Sequence, residues 1–487
     1  MSAASRTPVV GFGVESLWGV WRTDCRLADA IDVRAMAAGD GPDAAVLLVA
    51  DLSLLWPSVA IDLRARVAEA LGLDVQAVGI FTTQNHGVPT EAVEPANIDA
   101  AAERFIAAAR KAMEVRRPAR IALVTAHPTP PLTFCRRVRV EGVGTFTYWF
   151  GCRIDADGRG DCSDLIAAAL ADLAAGRPYQ RRCLDLPEDG GPRIESPLPL
   201  KRPVPLGPAD DDLLQALLFL APDGTPIGSL VRAAIHPVTA NRRAAGRHSG
   251  DYPVYVRRRM EAGFGGTSLF LPGPCGDQAP LVVRKSLRRA EQLGGQIAQA
   301  VLDAAAAAAW QEDWSVAVRS PVVDLPIRQD YPATLDAART TTDTLAARLA
   351  RAAREGRPLG ELKALSDAWE KPFYAAQGLH RAWTGVDAIG RAGRTLAHPL
   401  FILRLGPAVI AGLPGEPFGG YSARMRAETI GDRLIVAEEC NGYLSYLPTA
   451  AEFDRGGYGA NASLLDRTAE DRLAEAVARA VGDSAMA

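Results

Sequence analysis

Glu416 stands in a Pro-Gly-Glu-Pro turn at the end of the apolar run AVIAGLP, and a second apolar run, RLIVAEE, leads into a loop carrying Asn441, Tyr443 and Tyr446. Both loops sit at strand ends, where α/β sheets hold ligands on a rigid scaffold. Imidazoles that would complete a site occur in TTQNHG, which holds His86, and in SLVRAAIHP, which holds His236. Taken singly, each residue has a structural reading: a histidine hydrogen-bonded in place, Glu416 capping a helix that begins near Gly420, Tyr443 and Tyr446 in the core. Taken together, two imidazoles, a carboxylate and a phenolate make a set of N and O donors suited to zinc, with room for a water or a substrate oxygen. A tyrosine, whose free pKa is about 10, would need the cation to stay ionised.

Strands and helices must carry these residues to one place. AAVLLVADL (44–52) reads as a buried strand, LRARVAEALGL (63–73) as a helix and VGIFTTQ (78–84) as the next strand, so TTQNHG lies where a strand gives way to a loop. A long helix over about 97–116 leads to the strand RIALVTA (120–126). Residues 151–208, rich in Pro, Gly and Arg around one helical piece, LIAAALADLAAG, read as an insertion. Two apolar runs joined by Pro-Asp-Gly form a hairpin that ends at His236. DYPVYVRRRMEAGFG (251–265) predicts a helix, TSLFLPGPCGDQAP (267–280) a strand running into a glycine-rich loop, and 282–309 a long helix. VAVRSPVVDLPI reads as one strand, and Pro332 marks the first turn of a helix to about Glu355. With further helix to Trp383, residues 330–386 are a candidate lid or second lobe. The expectation is one α/β domain over 1–487, a mixed multi-stranded sheet core flanked by helices.

A chain of 487 residues with 48% hydrophobic and 23% charged residues has the make-up of a globular protein with a large core. A formal net charge of −3 gives no reason to expect nucleic acid or an anionic membrane, and the cluster Arg257, Arg258, Arg259 reads as the solvated face of a helix. No run reaches the roughly 18 apolar residues that cross a bilayer. The N-terminus lacks the pattern of a secretory signal, so a cytoplasmic location is expected. Seven scattered cysteines without a CxxC pair read as reduced thiols. The partner expected is a small-molecule substrate.

FTTQNHGVP, IHPVTANRR followed by SGDYPVY, LFLPGPCGDQAP, GLPGEPF and NGYLSYLPTAAEFDRGGY occur in the order and rough spacing of the neutral ceramidase family, and together the chain resembles these zinc-dependent non-lysosomal enzymes and their bacterial relatives. GFGVES and TFCRRVRVEG extend the likeness over nearly the whole chain. The resemblance implies a zinc site made by His86, His236, Glu416 and Tyr446. It also implies a catalytic set of Tyr458, Arg136 and Asp277, with Tyr458, twelve residues after Tyr446, and Arg136 stabilising an oxyanion. Two departures matter. The family's His-x-His reads Gln84-Asn85-His86 here, and the serine of its G-D-x-S-P, assigned as nucleophile or substrate contact, is Ala279. The signal peptide and C-terminal β-domain of secreted ceramidases are also not matched, which argues against extracellular ceramide as substrate.

Three readings follow. One is a zinc-dependent hydrolase that cleaves an amide or other acyl bond of a small polar substrate with metal-activated water. Another is a metal-dependent lyase or isomerase acting on a sugar-like hydroxy compound. The third is a metal-binding homologue without catalysis.

Overall fold

The computed structural model describes residues 8–18, 20, 26–41, 44–88, 98–147, 153–154, 160–161, 163–179, 207–240, 247–281 and 285–483. Its larger strands fall into three sheets. The first runs in the order Val78–Thr82, Ala45–Ala50, Asp32–Ala38, Val9–Ser16, Arg117–Pro118. Thr267–Pro272, Pro226–Ala233, Leu214–Leu220 and Arg120–Ala126 make the second, and Val316–Arg319, Phe401–Leu405, Ala408–Gly412 and Leu434–Ala437 the third. Each sheet is antiparallel except for one parallel pair at one edge: Ala45–Ala50 with Val78–Thr82, Pro226–Ala233 with Thr267–Pro272, and Ala408–Gly412 with Leu434–Ala437. A parallel pair needs a crossover. Helices Pro57–Leu71, Asp251–Gly263 and Gly420–Glu428 provide them. The fold thus contains a βαβ unit in each sheet.

Strand period explains how the sheets pack. Leu47 and Val49 face one way with Leu217, Phe219, Leu271, Phe401, Leu403, Ile410 and Ile435 in a core that all three sheets share. Their neighbours Val46 and Leu48 face the other way, against Val59, Leu63, Phe105 and Ala109 of the helices Pro57–Leu71 and Ile98–Glu114. The same alternation sends Val409 and Val436 toward Tyr421, Leu473 and Val477 under the helices Gly420–Glu428 and Ala469–Gly482. Burying one such side chain is worth about 1.5–3 kcal/mol, which is why strands covered on both faces carry near-continuous apolar runs.

Several expectations are revised. The run VAVRSPVVDLPI is two strands, Val316–Arg319 and Val322–Pro326, in different sheets, because Pro321 between them has no N–H to continue a ladder. The helix expected from Pro332 begins at Leu335, where the Thr334 side chain accepts from the Ala337 amide at 3.0 Å as an N-cap. Arg257 is no solvated residue: it is buried and pairs through both terminal nitrogens with Asp51 at 2.6 and 2.7 Å. Arg258, by contrast, is half-exposed and reaches Asp29 at 3.0 Å. Most of the expected insertion lies outside the described residues, but its helical piece forms Ser163–Ala174 and packs Ile166, Leu170 and Leu173 on Leu349 and Leu362. Those two belong to helices Leu335–Arg354 and Leu359–Ala376 of the helical lobe, which continues through Leu379–Thr384. Of the cysteines, Cys135, Cys275 and Cys440 are described, and all are free thiols.

Candidate functional site

The carboxyl ends of the parallel strand pairs meet. Beyond Thr82 the chain keeps bonding to its parallel partner, Thr83 to the Ala50 carbonyl and Asn85 to that of Leu52, both at 2.9 Å, and delivers Gln84 and His86. Ala233 leads to His236, Pro272 to Cys275 and Asp277, Gly412 to Glu416, and Ala437 to Glu438, Glu439 and the loop of Tyr443 and Tyr446. Backbone bonds stitch these ends together. The Gly273 amide donates to Ala233 within the second sheet at 2.9 Å, and across sheets the Glu438 amide donates to Pro272 at 2.9 Å and the Asn441 amide to Ile80 at 2.7 Å. Glu416 and Tyr446 are direct partners in a short parallel bridge.

The imidazoles of His86 and His236 lie 5.0 Å apart between ring centres. His86 Nδ1 faces the Gln84 carbonyl at 2.9 Å, and since a carbonyl only accepts, Nδ1 carries the proton and the lone pair is on Nε2. His236 Nδ1 is 3.3 Å from the Cys275 carbonyl and 3.8 Å from Glu416 Oε2. Glu416 accepts from the Tyr443 hydroxyl through its other oxygen, Oε1, at 2.8 Å. It caps no helix: the amide of Gly419, ahead of helix Gly420–Glu428, goes to Asp277 Oδ1 at 2.7 Å.

Arg136 is fully buried beside these donors. Its Nε donates to the Gly276 carbonyl at 3.1 Å, while Nη2 lies 3.3 Å from the Tyr446 hydroxyl and 4.0 Å from Glu416 Oε2. Burial works against its charge, but Tyr446, Glu416 and Tyr458 more than offset that and raise its pKa further. Tyr458 heads the short helix Tyr458–Asn461 and sets its ring edge-on to Tyr446, 5.2 Å between centres. The structure therefore brings His86, His236, Glu416, Tyr446, Arg136 and Tyr458 into one cluster. Asp277 stands behind it, its backbone carbonyl accepting from the Arg136 amide at 2.7 Å and its buried carboxyl pushed up to about 7, chiefly by desolvation. Close packing holds this arrangement: a Cβ on Gly276 would lie 2.4 Å from the Glu416 carbonyl, and Gly415, at φ +56, would set one 2.3 Å from that of Ser445.

Sequence reasoning missed the acidic floor. Glu438 accepts from the Cys275 amide at 2.9 Å and from its thiol at 2.8 Å, and the same thiol lies 3.4 Å from Gln84 Oε1. Burial pushes the carboxyls of Glu438 and Glu439 well above the usual range, and the charge of Glu416 adds to both shifts. The signal for them was present in RLIVAEE, two acids at the end of an apolar run. Gln84, Glu439, Asn441 and Ser445 all adopt left-handed φ between 55 and 70°, a conformation costly for non-glycine residues and concentrated here at the strand ends.

These donors fit a cation by their chemistry: two imidazoles, a carboxylate and a phenol, with two further buried acids, Glu438 and Glu439, near enough to feel the charge of Glu416. His236 Nδ1 faces the Cys275 carbonyl at 3.3 Å, so by the reasoning used for His86 its lone pair is on Nε2, and both imidazoles present Nε2 to a cation. Among the described residues, however, no group of three or more His, Cys, Asp or Glu side chains is gathered closely enough to hold a metal by itself. Nor do the described residues include a helix long and apolar enough to cross a membrane. A groove of about 700 Å³ lined by Arg319, Val322, Arg472 and Arg479 lies elsewhere on the molecule and shares no residue with the cluster.

No protein-family model matches the chain, and no curated protein matches it in sequence. Solved structures do match. A ceramidase complexed with C2 superposes over 99% of this chain and 75% of its own, at 14% identity and a TM-score of 0.62. The neutral ceramidase of Pseudomonas aeruginosa gives the same identity and TM-score over 99% of this chain and 74% of its own. A likeness spanning the whole chain at so low an identity is one of fold: the chain is built like a neutral ceramidase.

Proposed function

We propose that this protein is a zinc-dependent hydrolase cleaving an amide, or another acyl bond, in a small polar substrate. The observation that carries the reading is the convergence of His86, His236, Glu416 and Tyr446 with Arg136 and Tyr458 where the parallel strand pairs end. The ceramide-cleaving namesakes of the fold point to amide chemistry. Small size follows from burial: Arg136 and His236 are 0% exposed, Tyr446 2% and Tyr458 3%, and of the cluster His86 keeps the most contact with solvent.

His86, His236, Glu416 and Tyr446 would hold the zinc, which supplies Lewis-acid polarisation of a carbonyl and a water acidic enough to attack at neutral pH. Arg136, whose charge Tyr446 and Glu416 favour, places its Nη2 3.3 Å from the Tyr446 hydroxyl and so sets a positive charge beside that oxygen. Tyr458, wedged against Tyr446, offers its hydroxyl to the oxygen that gains charge as the acyl carbon becomes tetrahedral. Asp277 positions both Arg136 and the loop after Glu416. The buried acids of the floor exclude a long apolar chain and favour a polar group.

The test begins with metal. Purified protein should carry about one zinc per chain, as expected for one such donor set, and His236→Ala should carry none. Zinc content unchanged in that variant removes the ligand set. Incubation of zinc-loaded protein with a panel of short N-acyl amines, read by mass spectrometry, should give acid plus amine. Loss of water or rearrangement without cleavage would replace hydrolysis by lyase or isomerase chemistry. With Ala279 in place of the family serine, ceramide itself should be turned over poorly. Rapid, chelator-sensitive release of fatty acid from ceramide would overturn that part.

A further inference from the structure

We propose that Tyr443 is a positioning residue that restricts Glu416 to offering a single oxygen, Oε2, to the bound ion; this rests on the metal reading above. The Tyr443 hydroxyl donates to Glu416 Oε1 at 2.8 Å, and both side chains are buried. The other oxygen, Oε2, lies 3.8 Å from His236 Nδ1 and 4.0 Å from Arg136 Nη2. One oxygen is engaged by Tyr443, and the other lies toward the His236 ring and Arg136.

Neither partner of this hydrogen bond is free to drift. The Tyr443 amide donates to the Leu55 carbonyl at 2.7 Å, just ahead of helix Pro57–Leu71. The preceding Gly442, at φ +124, is pressed so close to that helix that a Cβ would lie 2.5 Å from Pro57 Cα. One residue earlier, Asn441 accepts from the Ile80 amide at 3.1 Å and donates to the Pro399 carbonyl at 3.0 Å, which keys the loop to strands of two sheets. On the other side, the Glu416 amide donates to the Ser445 carbonyl at 3.0 Å and that of Gly415 to the Gly442 carbonyl at 3.3 Å. A carboxylate so held differs in kind from a surface one that can swing to chelate through both oxygens. Hydrogen-bonded partners of metal ligands typically account for 10–100-fold in metal affinity.

The experiment compares apo wild type and Tyr443→Phe, each titrated with Zn²⁺ against a chromogenic chelator and with Co²⁺ followed by visible absorption. The phenyl ring stays but buried Glu416 Oε1 loses its donor, so the apo variant should fold with stability lowered by the cost of one buried hydrogen bond. Zinc affinity should fall by about 10–100-fold. The cobalt d–d bands should weaken and shift as the freed Oε1 joins the coordination shell. An unchanged zinc affinity together with an unchanged cobalt spectrum overturns the proposal while leaving the metal site standing. Should wild type itself take up neither ion stoichiometrically, the metal reading fails and the role of Tyr443 fails with it. If Tyr443→Phe does not fold, infrared difference spectra of zinc-loaded minus apo wild type decide the matter alone. A wide separation of the carboxylate stretching bands marks one-oxygen binding, and a narrow one, marking two-oxygen binding, refutes it.

Discussion

Tyr458 touches the cluster through its ring and would act through its hydroxyl, so Tyr458→Phe separates packing from chemistry. Zinc content and melting temperature should stay near wild type while turnover of a short N-acyl amine falls by about 10²–10³, the usual cost of losing an oxyanion donor. Full turnover with intact zinc would take Tyr458 out of the mechanism, and lost zinc would place it among the ligands. Gly276→Ala tests the opposite kind of residue, one important for having no side chain. Its Cβ would meet the Glu416 carbonyl at 2.4 Å, so stability should drop by about 1–3 kcal/mol in denaturant titrations and zinc affinity with it. Residues such as His236, Glu416 and Tyr446 were legible because each lies in a short motif at a strand end, and Tyr458 was legible only through its interval of twelve residues from Tyr446. Glu438 was not, because what gives it meaning is a bond to Cys275, 163 residues away in sequence, and no local pattern encodes that partner. Gln84 was legible as a departure from a histidine motif, whereas its place beside the Cys275 thiol was not.

At the scale of elements, the helical lobe is tied to the site by side chains. Asn461, closing the short helix that Tyr458 heads, donates to Glu370 Oε2 at 2.8 Å and lies 3.0 Å from Asp367 Oδ1, both on helix Leu359–Ala376. Tyr374 of the same helix donates to Glu370 Oε1 at 2.9 Å and sets its ring 6.2 Å from that of Tyr458. The lobe is thus a packed wall of the site. Asn461→Leu keeps the volume but strips buried acceptors of their donor, at a cost of about 1–3 kcal/mol in stability. Zinc should be retained and turnover reduced, since Tyr458 loses its anchor; equal turnover would show that the lobe does not position it. The existence of these helices could be read from apolar periodicity and from Thr334 as a cap. Their docking could not, because Asn461 and Glu370 each look like ordinary polar residues until the fold buries them.

For the whole molecule, buried acids set the response to pH. Burial pushes the carboxyls of Asp277 and Glu370 up to about 7 and that of Asp251 to about 6. Their folded forms hold protons that the unfolded chain releases near pH 4, so stability falls as pH rises toward the folded pKa and levels off above it. His380 and His398, depressed to about 4 by burial, act in the opposite sense up to their ordinary pKa of 6.5. Between about pH 6.5 and 7 the acids prevail, and each contributes at most about 1.4 kcal/mol per pH unit. Urea titrations of wild type and Glu370→Gln across pH 5 to 8 should show the variant with a shallower decline; identical slopes would mean that Glu370 is ionised in the native state throughout. The α/β class was legible from alternating strands and helices, but the division of the strands among three sheets was not, since pairing partners are chosen by a core that forms only when all three meet. The junction at Thr82 and Glu439 joins residues 357 apart in sequence. A contact so non-local is slow to find, although the entropy of closing the chain around it grows only with the logarithm of loop length. During synthesis, no nascent chain that has yet to reach Tyr446 can assemble the donor set, so a cation held by these four residues would be captured only after the strands of all three sheets have been made.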